Sequence, residues 1–308
     1  MRLTPSTRVR SRRQTMPPAG TSRVKKGRRS FSDIALIALF IFGLSVFLYP
    51  PLANFYNHQR QKAAVVSYEK AVSKLDTTQV ERLLDEAEAY NDALVYEPGR
   101  LPVSQMDQYL RMLNFTGTSV MGTIQIPSLG VNLPIYHTTD EAVLQAGVGH
   151  IPGTSLPIGG VGTRAVLTGH RGLPSSKLFT DLDKLKPGDI FVIRTGNREL
   201  AYRVSDIVEV LPTEVGALQL EADRDLVTLV TCTPYGINTH RLLVTGERTE
   251  LSAVGSIAAD AVRVDPVLVA AFVAVPIFVV GLVVVLRRTR SVYAPRHMGK
   301  DSSHADEK

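Results

Sequence analysis

Two uncharged apolar runs bracket this chain and constrain it more than any other feature. The first extends from Ile34 to Ala53 and the second from Pro266 to Leu286. Each has about the length that crosses a ~30 Å hydrocarbon layer as a helix. Pro276 sits inside the second run, which predicts a kink and not a failure to span. Residues 1–30 carry ten Lys/Arg and no acid, and Arg287, Arg288 and Arg290 follow the second run. Positive flanks stay cytoplasmic, so both termini are expected inside and residues 54–265 outside. A signal peptide with a long basic lead is the other reading of the first run. Its apolar stretch is long for that role and no clear A-x-A cleavage site follows, so an uncleaved anchor is preferred.

The formal charge of +6 belongs to those flanks. Without them, the segment between holds more acid than base. The tails are placed to meet anionic lipid heads, and nucleic acid is not an expected partner. Cys232 is the one cysteine of 308 residues, so no intramolecular disulfide can form. An outside domain of this size folds on its apolar core without one. A lone cysteine is most often apolar filler, and only its neighbours can argue otherwise.

Residues 57–92 show helical spacing of apolar positions, broken at Asp76-Thr77-Thr78. Thr78 and Glu81 read as a capping box opening the second of two amphipathic helices. Residues 93–118 lose periodicity around Pro98, Gly99 and Pro102, with a short helix expected near Met106 to Leu113. From Val120 the pattern changes to short strands between turn signals. MGTIQIPSL, VNLPIYH, RAVLTGH, DIFVIRT, RELAYRVSDIVEVL, DLVTLVTC and HRLLVTGER are the candidates. Helical interruptions are expected at 139–147 and 175–185. Such spacing points to a closed barrel or a sandwich. The domain scheme is a basic tail (1–33), a membrane helix or signal anchor (34–53), N-terminal helices (54–118), a β-rich domain (119–250), a linker (251–265), a second membrane helix (266–286) and a polar tail (287–308) expected to be disordered.

The stretch TLVTCTPYGINTHRLLVTG, Thr228 to Gly246, reads as a hairpin-like pair of strands. It sets the Cys232 thiol at the end of one strand and the Arg241 guanidinium at the start of the next. An ordinary thiol is only a few per cent thiolate at neutral pH, so a working nucleophile needs a base or cation nearby. His170, His150 and His240 are the histidine candidates, ranked in that order. His170 ends the run AVLTGH, as Cys232 ends its own. His150 falls between Gly149 and Pro152 in what reads as a loop. His240 neighbours Arg241 and so points to the opposite strand face. Arg241 suits stabilisation of charge developing on a carbonyl oxygen. One cysteine and scattered histidines give no metal-ligand spacing, and no phosphate-binding loop is present; no cofactor is expected.

That same stretch resembles the active-site signature of the sortases, in the form of class C, the pilin-polymerising group. Residues 121–137, 147–160 and 165–185 resemble that class as well, and the similarity covers about residues 54–250. The resemblance implies an eight-stranded β-barrel with N-terminal helices. It implies Cys232 as nucleophile, His170 as acid/base partner and Arg241 as oxyanion and substrate-positioning cation. It further implies a membrane-anchored cysteine transpeptidase of a Gram-positive bacterium that cleaves an LPxTG-like signal between Thr and Gly. The thioester would pass to a pilin lysine, so the expected partners are pilins or surface proteins with C-terminal sorting signals. Class C sortases often carry a lid with an Asp-Pro-aromatic motif before the barrel. Residues 93–112 have no Asp-Pro; Glu97-Pro98 is the nearest dipeptide, Gly99 follows it, and Tyr96 is the candidate plug. The alternatives are a sortase anchoring surface proteins to a peptidoglycan precursor, a non-catalytic peptide-binding scaffold, and an L,D-transpeptidase. The last is disfavoured because His170 and Cys232 lie far apart in sequence.

Overall fold

The computed structural model describes residues 31–115, 117–251 and 266–292. The basic N-terminal tail, nearly all of the 251–265 linker and the end of the polar C-terminal tail lie outside the described residues. The chain divides into two units at Phe42/Gly43. Helix α1 runs unbroken from Phe31 to Val72, through Pro50 and Pro51. The expected boundary between apolar run and amphipathic helix is therefore not a break in structure. Proline removes a ladder donor, yet apolar membrane-type helices tolerate it. Among the described residues, α1 from Ile34 is the helix long and apolar enough to cross a membrane. Helix α5, Pro266–Val292, contains Pro276 within it and gives a shorter apolar stretch, Val273–Val285.

Helix α2 covers Thr77–Ala93, and its N-cap is Asp76. The Asp76 carboxylate accepts from the Gln79 backbone N–H at 2.7 Å, and the Gln79 side chain answers the Asp76 N–H. The capping box is therefore Asp76/Gln79, two residues earlier than Thr78/Glu81. Asp accepts the N3 amide as well as Thr does, and only the backbone turn decides which residue is the cap. Val80, Leu84, Ala87 and Tyr90 lie on one face of α2 and enter the core. Helix α3, Val103–Arg111, is the short helix expected in this region.

Eight strands follow: β1 Val120–Ile126, β2 Val131–His137, β3 Val148–His150, β4 Thr163–Thr168, β5 Ile190–Thr195, β6 Arg198–Val210, β7 Asp225–Thr233 and β8 His240–Thr249. They close into a barrel in the order β1-β2-β3-β4-β7-β8-β6-β5. Helix α4, Glu141–Ala146, crosses from β2 to β3. The helix expected at 175–185 is only a 3-10 turn, Leu182–Lys184. Alternate residues fill the interior, among them Ile124, Ile135, Leu167, Phe191, Leu229 and Val244, all fully buried. Phe191 stacks on Tyr202 there at 5.6 Å between ring centroids.

Strands β4 and β7 run parallel, and both of their faces are covered. Their outer face carries a second apolar cluster: Val166, Leu218, Val230 and Leu243, with Ile151, Val208 and Val210 against it. Burial on both sides is why these strands read as near-continuous apolar runs. The C-terminal half of α1 docks on the barrel. Tyr68 donates to the Met121 carbonyl at 3.1 Å and accepts from the Gly196 N–H at 2.8 Å. Asn54, Asn57 and Gln61 of α1 bond the loop at Ser175, Ser176 and Lys177.

Candidate active site

Cys232 is the next-to-last residue of β7, and its partner across the β7–β8 ladder is Arg241. Directly opposed residues of an antiparallel pair point to the same side, so thiol and guanidinium share the outer face. That face is the one lined further down by Val230 and Leu243. The turn between the strands returns Arg241 on itself: its Nη1 donates to the carbonyls of Asn238 and His240, at 3.3 and 3.1 Å. Asn238 has φ +61°, a conformation that Asn tolerates better than most residues.

His170 reaches the same rim from β4. In the parallel β4–β7 ladder Thr168 pairs with Val230. The pairing continues past the strand end, because Gly169 N–H donates to the Val230 carbonyl at 3.1 Å. The Thr231 hydroxyl donates back to the Gly169 carbonyl at 2.8 Å. One residue further brings His170 level with Cys232. Gly169 has a packing reason to lack a side chain: a Cβ there would meet the Phe179 ring at 2.9 Å.

The loop after His170 is braced from several sides. Phe179 N–H donates to the His170 carbonyl at 3.1 Å. Arg171 donates to Asp183 at 2.6 Å and to Thr233, next to the cysteine, at 3.2 Å. Its guanidinium also lies 6.0 Å from the Tyr235 ring centroid. His170 Nε2 faces Glu141 Oε2 at 3.4 Å, outside hydrogen-bond alignment. Neither Arg171 nor Glu141 was legible as part of a site; Arg171 merely followed His170, and Glu141 sat in a helical pattern.

The other two histidines are placed differently. His150 is not in a loop but ends β3, and it is fully buried. A three-residue strand between Gly147 and Pro152 is too short to show a period. His150 Nε2 donates to the Ser155 carbonyl at 2.8 Å, while Nδ1 accepts from the Tyr109 hydroxyl at 3.0 Å. Burial pushes its pKa down to about 4, so it is a neutral structural group. His240 opposes Thr233 and lies on the strand face opposite Arg241, as the alternation requires.

Residues 93–112 are hydrogen-bonded to the barrel at Pro152, Gly153 and Leu218. The Glu97 and Gly99 N–H groups donate to the Gly153 and Pro152 carbonyls, at 3.0 and 2.9 Å. The Tyr96 hydroxyl donates to the Leu218 carbonyl at 2.7 Å. Beside it, Arg164 donates to Thr228, on the same β7 face as Cys232 and four residues before it, about 13 Å along the strand. Among the described residues, no hydrogen bond or ion pair joins 93–112 to Cys232, His170 or Arg241. Tyr96 is thus tied to Leu218, a member of the outer-face cluster, and not by a hydrogen bond to the thiol's rim.

The family model for the sortase domain matches residues 124–249. Over 220 residues the chain is 26% identical to Sortase A of Bacillus anthracis, covering 71% of this chain and 95% of that one. Among solved structures, sortase C-1 from Actinomyces oris is 45% identical, with 56% of this chain and 99% of that one covered and a TM-score of 0.54. Sortase C1 from Streptococcus agalactiae is 41% identical, covering 61% of this chain and 98% of that one, with a TM-score of 0.59. A lid mutant of Sortase A from Corynebacterium diphtheriae is 39% identical over 57% of this chain and 96% of that one, with a TM-score of 0.55.

Proposed function

Since the chain belongs to the sortase family of cysteine transpeptidases, we propose that Cys232, His170 and Arg241 are its catalytic residues and that its reaction joins pilin subunits. The observation that carries this is the backbone register that brings the three residues to one rim: Arg241 across the ladder from Cys232, and His170 level with it two residues past the end of β4.

The chemistry follows from those positions. The Cys232 thiolate attacks the Thr carbonyl carbon of an LPxTG-like signal. Negative charge develops on the carbonyl oxygen, and the Arg241 guanidinium offers it fixed donors. The C–N bond to Gly breaks as the His170 imidazolium protonates the leaving amine. A thioester remains on Cys232. A neutral lysine amine of the next pilin then attacks that carbonyl and yields its proton to His170. The C–S bond breaks, the thiolate is restored and an isopeptide bond is formed. The apolar cluster of Val166, Leu218, Val230 and Leu243 lies on the thiol's own face and is buried in the free protein, so it serves the apolar part of the signal as a floor only once a covering contact is displaced.

Supporting the pilin acceptor are the class C neighbours at 38–45% identity, one of which, from Streptococcus pneumoniae, is described for its pilin substrate specificity. The apolar N-terminal helix supports a membrane-anchored enzyme with its barrel outside the cell. To test the reaction, the full-length protein in detergent is incubated with an LPxTG-type peptide and its mass is measured. A thioester adduct on Cys232 is expected, none in Cys232→Ala, and no turnover in a folded His170→Ala. A silent wild type, both intact and with residues 93–102 released by mutation, overturns the reading. Gene deletion decides the acceptor: loss of high-mass ladders supports pilin joining, and release of monomeric surface proteins with ladders intact sinks it.

A further inference from the structure

Beyond those three side chains, we propose that Glu141 is a positioning residue for His170, selecting which ring nitrogen carries the proton. The inference rests on the catalytic role of His170 proposed above. Glu141 opens α4, and its Oε2 lies 3.4 Å from His170 Nε2. That nitrogen is itself buried and has no aligned hydrogen-bond partner. Glu141 is the one acidic side chain among the described residues that pairs with it.

The carboxylate does not hang freely. Its Oε1 accepts from Gln145 Nε2 at 2.9 Å, one helical turn on. That hydrogen bond, and then the nearby imidazole, hold its carboxyl below the usual carboxylate range, so it is charged at working pH. The chain enters α4 through a fixed corner. Thr138 adopts φ +65°, uncommon for a β-branched residue, and its hydroxyl donates to Asp140 at 2.8 Å. The Thr138 N–H donates to the hydroxyl of the fully buried Tyr109 at 3.1 Å. Glu141 is thus carried by a backbone pinned to the core, the kind of support that keeps a functional side chain in place.

A carboxylate beside one imidazole nitrogen favours the proton there and leaves the other nitrogen as the basic one. With Glu141 at Nε2, Nδ1 becomes the atom that exchanges protons with the amine. The present contact is too poorly aligned for a full hydrogen bond. Such contacts commonly tighten only when substrate is bound.

The test uses full-length protein in detergent and an LPxTG-type peptide. Glu141→Gln should slow thioester formation roughly ten-fold, with peptide KM within about two-fold and melting unchanged. Glu141→Asp should recover most of that loss. In the free protein, ring ¹⁵N shifts should report His170 as the Nε2–H tautomer, with a mixture in Glu141→Gln. Gln145→Ala should move both readouts the same way by less, which serves if the Gln variant folds poorly. Glu141→Gln with wild-type rate and unchanged ring shifts overturns the proposal, and so does equal loss in the Gln and Asp variants. If wild type forms no adduct, the catalytic reading fails on its own, and the ring shifts still decide the role of Glu141.

Discussion

Cys232 and Arg241 are cross-strand partners in the β7–β8 ladder, so the spacing of their backbones is set by sheet geometry. Opposed residues of an antiparallel pair lie with their Cα atoms about 4.5–5.5 Å apart.

Arg241→Lys keeps the charge but replaces a planar fork with a single ammonium. The carbonyls of Asn238 and His240 orient the guanidinium through Nη1, and a lysine cannot satisfy both and still reach the carbonyl oxygen. We expect a folded protein with roughly 10²-fold lower kcat/KM. Steady-state kinetics with the sorting-signal peptide check it; turnover close to wild type would refute the oxyanion role.

Tyr109 is a buried polar hub. Its hydroxyl serves the Thr138 N–H and His150 Nδ1 together. Tyr109→Phe leaves both without that partner in the core, a loss of about 1–3 kcal/mol for each unsatisfied group. Chemical denaturation should show a lower midpoint at unchanged slope. An unaltered midpoint would mean that water or a shifted backbone takes over.

Acid should weaken the fold through His150. Its folded pKa is depressed to about 4 by burial, below the ordinary ~6.5 of the unfolded chain. Between those values the unfolded state binds more protons, so stability is full above pH ~6.5 and falls as pH drops toward 4. Burial lowers His137 too, and it acts in the same direction. Melting temperature against pH should decline over that window, and His150→Gln, though less stable at neutral pH, should flatten the decline. An equally steep curve in that variant would assign the loss to other groups.

Tyr96 anchors the segment before α3 to Leu218, a member of the apolar cluster under the thiol's face. If a signal peptide uses that floor, it competes with this contact. Tyr96→Phe should raise peptide kcat/KM a few-fold, roughly the worth of one hydrogen bond of about 1 kcal/mol. The rate of Cys232 alkylation by a small reagent should stay the same, because the lost bond goes to Leu218 and not to the thiol's rim. A large rise in alkylation would show that the segment screens the thiol after all.

The barrel was legible because its strands are short apolar runs separated by glycine- and proline-bearing turns. Leu129-Gly130 and Gly196-Asn197 mark two of the turns, with Gly130 and Gly196 at φ +64° and +59°. The Cys232–Arg241 pair was legible for the same reason, since one turn joins the two strands. His150 was misread because β3 is three residues long and pairs in parallel with β2, leaving neither period nor hairpin signal. The Glu141–His170 contact joins the β2–β3 crossover to the segment after β4, with β3, one further connection and β4 between them. No local pattern carries such a pairing. The Asp76 cap was missed because three adjacent residues could each serve, and the turn geometry chooses among them.

The bonds from Asn54, Asn57 and Gln61 to residues 175–177 have a practical side. These side chains follow directly on the apolar stretch that invites removal for soluble expression. A cut after Gln61 would keep every strand and all three reactive side chains, yet strip the supports from the His170 loop. Where the N-terminus is trimmed is thus itself an experimental variable, and weak activity in a short fragment would report the trimming before it reported the enzyme.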